Sequence, residues 1–170
     1  MLLPVASFTD FVLAVHILGV VAGFGATFAY PLFFSAGSRL DPSAMPWFFR
    51  MMQLLQKQLV YPGLLIVLVC GIYLASSEDQ FSSFYVGWGF VAVVAIGALE
   101  GAVMAPRTRT LISLSERDLT AAPAAADSRL SAFSFSADYR AAFRQLSIAG
   151  RAEALIVGLT VVLMATHAGA

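Results

Sequence analysis

Charge is the scarcest commodity in this chain. Only 12% of its 170 residues are Asp, Glu, Lys or Arg, against roughly 25% in soluble globular domains. Hydrophobic residues make up 59% of it, and the mean hydropathy is +0.83. A water-soluble fold of this length has too little interior to hide that much apolar surface, so the bilayer is the natural solvent. Cysteine is almost missing as well. The single Cys70 excludes an internal disulfide and reads as a small buried hydrophobe. Basic residues are missing before Arg39. The apolar N-terminal stretch therefore lacks the basic flank of a signal peptide, and it is longer than a signal's apolar core, so it is read as a retained membrane helix. A phosphate loop, a Cys-x-x-Cys pair and a nucleophile elbow are all absent. Apolar residues run continuously and do not alternate, which excludes a membrane β-barrel. With a formal net charge of zero, no nucleic-acid partner is expected.

What is present is four apolar segments. Crossing about 30 Å of hydrocarbon takes roughly 20 helical residues, and the segments at about 8–34, 59–76, 84–105 and 149–167 meet that demand. The expected fold is an all-α integral-membrane four-helix bundle, a single membrane domain over 1–170. The second helix should begin earlier, near Ser43, with a kink at Pro62. The stretch 106–148 is expected to be a cytoplasmic loop, flexible around Pro123, with helix from about Ser136 that continues into the fourth span. All ten basic residues fall after the first span or after the third. The positive-inside rule then places both chain ends on the outer side of a cell inner (plasma) membrane. The exposed arginines of 107–151 are expected to face solvent and lipid headgroups.

Ionisable groups inside a bilayer are costly, so each is a functional candidate. Four stand out: His16, Glu100, Glu153 and His167. At about 1.5 Å per residue, both histidines fall in the outer half and both acids in the inner half. At about 100° per residue, Val12, His16, Gly19, Gly23, Thr27 and Tyr30 share one face of the first helix. Glu100 shares a face with Ile96, Met104 and Arg107, and Glu153 one with Thr160, Met164 and His167. Ordinary helix packing accounts for the small-residue pairs Gly19/Gly23 and Gly97/Gly101. Glu100 and Glu153 are expected to pair with Arg107, or with Arg50 or Lys57 across the bundle, a proton relay being the competing role. His16 is either bonded to a neighbouring carbonyl or an axial ligand of haem, with His167 or Met164 as the nearest second ligand. Too few ligands are present for structural zinc.

The stretches "VHILGVVAGFGATFAYPLFF", "RMMQLLQKQLVYPGLLIVLVCGIYL" and "YRAAFRQL" resemble small four-helix bacterial inner-membrane proteins: the HemJ-type protoporphyrinogen oxidases, the CopD-like membrane domains and uncharacterised relatives. His16 matches the first-helix histidine of the HemJ-type family, and Arg50, Met51, Pro62 and Gly71 fit its second motif. The resemblance implies haem b bound through the histidine and a redox activity. The chain departs from that family in having no lysine in "GWGFVAVVAIGALEGAVM", and "AGRAEAL" where the family carries asparagine-glutamate-x-proline. Three functions therefore stand side by side: a haem-b-binding redox protein, a non-enzymatic subunit packed against a membrane-protein partner or a second copy of itself, and a small transporter or proton pathway using Glu100 and Glu153.

Overall fold

A computed structural model describes residues 7–121 and 133–167. Four long helices make up the bundle: α1 (Phe8–Gly37), α2 (Pro42–Ser77), α3 (Phe84–Thr120) and α4 (Ala137–His167). Each is long and apolar enough to cross a membrane. The architecture is the expected all-α four-helix bundle, with neighbours in sequence running antiparallel. Large apolar side chains cover its outside: Phe11, Leu18, Leu32, Val94 and Leu155 are each at least 60% exposed. In water such continuous apolar faces would drive association; against acyl chains they are at rest.

The ends of the helices are set by local chemistry. Ser7 and Asp10 close a capping box at the start of α1, with the Ser7 N–H donating to Asp10 Oδ2 at 2.8 Å and the Asp10 N–H to Ser7 Oγ at 3.2 Å. Asp41 accepts the Ser43 N–H at 2.8 Å and starts α2 with Pro42 in its first turn. Ser136 caps α4, and its own N–H donates to Asp118 Oδ2 at 2.9 Å, tying the start of α4 to the end of α3.

Two spans reach further than their hydropathy suggests. Helix α3 continues fifteen residues past Ala105, to Thr120, and α4 begins at Ala137. The start of α4 at Ala137 matches the helix expected from about Ser136, whereas 106–120, expected to be loop, is helix; the segment around Pro123 lies outside the described residues. The extensions are amphipathic. Leu111, Ser115, Tyr139, Ala142 and Leu146 are buried between them, while Arg109, Arg140 and Arg144 face outward. At about 1.5 Å per residue, helices of 30 to 37 residues outrun the hydrocarbon, and the surplus lies at the end that carries the arginines.

Two apolar clusters fill the bundle. The one at the arginine-bearing end is aromatic, built on Tyr30, Phe34, Phe49, Tyr139 and Leu146; the other, toward the opposite end, holds Phe24, Val60, Leu64, Val67, Ile96 and Val157. Toward the arginine-free end α1 packs on α2; toward the arginines it leans on α4 instead. The crossing of α1 and α2 is made by glycine. A Cβ on Gly63 would stand 2.6 Å from Gly23 Cα and N, so the two backbones touch.

Three of the four helices widen for one π-turn: Val20–Phe24 in α1, Gln56–Val60 in α2 and Glu100–Met104 in α3. In α2 and α3 the cause is legible. The π-turn closes with Tyr61 N–H on Gln56 C=O and Ala105 N–H on Glu100 C=O, and the next residue in each case is proline. A proline ring pushes away the carbonyl four residues back, and the wider turn absorbs that displacement. The expected kink site at Pro62 is where α2 carries this turn.

Candidate functional site

Between the two apolar clusters lies a polar one, to which all four helices contribute. Tyr30 of α1, Gln56 of α2, Glu100 of α3 and Glu153 of α4 are each at most 1% exposed. Gln56 and Glu100 are the first residues of their π-turns, and each follows a buried residue by one helical turn, Met52 and Ile96, so each continues the inward face of its helix. Tyr30 Oη donates to Glu100 Oε1 at 2.7 Å. The Gln56 amide lies against the Tyr30 hydroxyl and the Glu100 carboxylate, yet neither of its polar atoms is in hydrogen-bond geometry. Glu153 is near enough to Glu100 for their charges to repel. Glu100 Oε2 and both Glu153 oxygens have no hydrogen-bond partner.

No cation among the described residues answers these carboxylates. Among the described residues the ion pairs are Arg50 with Glu116 and Arg117 with Asp118. Arg107 and Lys57 are exposed, and Arg107 lines a surface groove with Asp138 and Gln145. The expected pairing of Glu100 or Glu153 with Arg107, Arg50 or Lys57 is thus not what the structure contains. The π-turn is the reason. Ile96, Glu100 and Met104 do share a buried face, but one inserted residue turns everything beyond by about 100°. Thr108 takes the inward place, with its hydroxyl donating to Met104 C=O at 2.8 Å, and Arg107 points out.

His16 lies apart from this cluster. Its half-buried ring sits between α1 and α2, with Cε1 3.3 Å from where a Gly71 Cβ would be, near the Val67 backbone, and Nδ1 has no hydrogen-bond partner. The face it shares is packed as expected: Val12, Gly19, Gly23, Thr27 and Tyr30 are all buried. Met164 belongs to another interface, its Cε 2.5 Å from the place of a Gly89 Cβ, between α3 and α4. Met164 is therefore not on the helix pair that holds His16. The side chain of His167 lies outside the described residues. Among those described, no group of three or more His, Cys, Asp or Glu is gathered as a metal site. The glycine pairs part company too. Gly19 and Gly23 meet Ile66, Val67 and Gly63, whereas a Cβ on Gly97 or Gly101 would meet nothing within 4 Å. Only the first pair serves packing within the bundle.

Gln56 is the member that composition and periodicity passed over, because an amide in "QLLQKQ" looks like one more interfacial polar residue. A signal for it does exist: Gln56 precedes Pro62 by six positions, as Glu100 precedes Pro106. A polar residue at that distance from an intrahelical proline starts the π-turn that the proline induces. Comparison with protein-family models, with curated proteins and with solved structures finds no match to this chain.

Proposed function

We propose that this protein is a small-cation pathway of a cell inner (plasma) membrane, with both chain ends outside and the Glu100–Glu153 pair as its binding station. One observation carries the reading: two neighbouring carboxyl groups, each 0% exposed, have no described Lys, Arg or His paired with them. Buried charge is paired or neutralised, and inside a membrane protein an uncompensated acid marks an ion or proton route. With no described cationic side chain to pair them, the two groups are balanced by protons or by a bound cation. The prolines and widened turns place π-bulges beside the station, a feature frequent at functional sites. The test is flux in liposomes loaded with a potential-sensitive dye. Under an imposed proton or metal-ion gradient the wild-type protein should carry cation current, and a Glu100→Gln/Glu153→Gln double variant should not. No current under any gradient, or an undiminished current in the double variant, overturns the proposal.

A second reading, haem b held at His16, rests on the match of that residue to the first-helix histidine of the HemJ-type family. Met164 sits on another helix pair and is not the second ligand; the side chain of His167, the other candidate, lies outside the described residues. Haem there would supply one-electron chemistry. Protein purified from haem-replete cells should then show a Soret band that His16→Ala removes; a colourless preparation overturns this reading.

A further inference from the structure

Resting on the cation reading, we propose that the occupant of the buried station is a hard divalent metal ion, ligated by Glu100, Glu153 and Gln56. Four oxygens of the cluster have no hydrogen-bond partner: Glu100 Oε2, Glu153 Oε1 and Oε2, and Gln56 Oε1. A single proton engages two oxygens at most, one by the covalent bond and one by the hydrogen bond. A metal ion can take several oxygens as ligands at once. The donor set is oxygen throughout, the preference of Mg²⁺, Ca²⁺ and Mn²⁺ rather than of thiolate- or imidazole-seeking metals. The two carboxylates together carry the charge that a divalent ion cancels.

Gln56 is the independent witness. The Gln56 amide is 1% exposed and lies against Glu100 and Tyr30 with neither polar atom in hydrogen-bond geometry, and an amide buried in that way costs stability unless a further partner completes it. An amide carbonyl is a regular ligand of hard cations. Tyr30 completes the arrangement as a positioning residue. By donating to Glu100 Oε1 at 2.7 Å, it fixes the carboxylate and leaves Oε2 free. The ligands come from α2, α3 and α4, so a bound ion would also fasten three helices together.

The test is calorimetric titration of the full-length protein in detergent, stripped with a chelator, with CaCl₂, MgCl₂ and MnCl₂ in turn and NaCl as the monovalent arm. At least one divalent ion should bind one to one. Gln56→Leu should weaken that binding tenfold or more, and Glu153→Gln should abolish it. Gln56→Glu, which keeps an oxygen donor, should retain binding even if Gln56→Leu fails to fold. Cation current in liposomes together with no divalent binding, or binding of Na⁺ alone, overturns the metal assignment and leaves the cation pathway standing. Neither current nor binding removes both. Binding undiminished in a folded Gln56→Leu variant overturns the ligand set.

Discussion

A methyl group added at Gly63 would meet the backbone of Gly23 at 2.6 Å, and backbone does not step aside. Gly63→Ala is therefore expected to destabilise the bundle by about 1–3 kcal/mol, read as a shift in denaturation by SDS. Gly97→Ala is the matched control. Its Cβ meets nothing within 4 Å, and replacing a helical glycine by alanine should leave stability unchanged or raise it by up to about 1 kcal/mol. Equal losses at both positions would contradict the packing described for α1 and α2. Tyr30→Phe removes the one donor bound to Glu100 and leaves Oε1 buried without a partner. The expected cost is about 1–3 kcal/mol, measured as a lower melting temperature in detergent. An unchanged melting temperature would mean that the hydroxyl is not holding the carboxylate. At this scale the sequence was informative about Glu100, Glu153 and Tyr30, whose polarity or face stands out in an apolar context. Gln56 was hidden because a lone amide near a helix end has many ordinary explanations.

The helices themselves are legible as elements, and their boundaries less so. The second helix begins where "DPSAM" puts a capping acid before a proline, and the structure agrees. Asp41 has a pH signature. The Ser43 hydroxyl, and then its backbone N–H, hold the Asp41 carboxylate below its ordinary 3.8. The charged form is the one anchored, so the cap is complete above about pH 4 and is lost as pH falls through the depressed value. The Ser43 amide resonance should accordingly titrate with a midpoint below 3.8, and the titration should vanish in Asp41→Asn; a midpoint above that value would refute the anchored cap. The helical character of 106–120 was missed for a different reason. Its charged residues lower hydropathy, but its apolar residues recur at helical spacing and bury against α2 and α4. Hydropathy measures where lipid ends, not where the helix does.

Seen whole, the molecule is sorted by charge. All nine described basic residues are exposed, and all lie toward the end where α1 and α3 finish and α2 and α4 start. The proposed orientation is testable with the chain's own economy of cysteine. In a Cys70→Ser background, a cysteine replacing exposed Ser82, in the turn between α2 and α3, should react with an impermeant maleimide on intact spheroplasts. A cysteine replacing exposed Ser113, in α3 near the arginines, should react only after permeabilisation. The reverse pattern would invert the topology and with it the assignment of sides to the cation route.

The amino-acid sequence alone determined the solvent of this protein, the number of its helices and the clustering of its cations, because these follow from composition and from a period that each segment carries within itself. Only the tertiary structure decided which polar groups meet. The proline-associated π-turn in α3 rotates the helix beyond it by about one residue, turning Arg107 outward and Thr108 inward. How four helices face one another cannot be read from any one of them, so the meeting of Tyr30, Gln56, Glu100 and Glu153, with no cation among them, belongs to the fold.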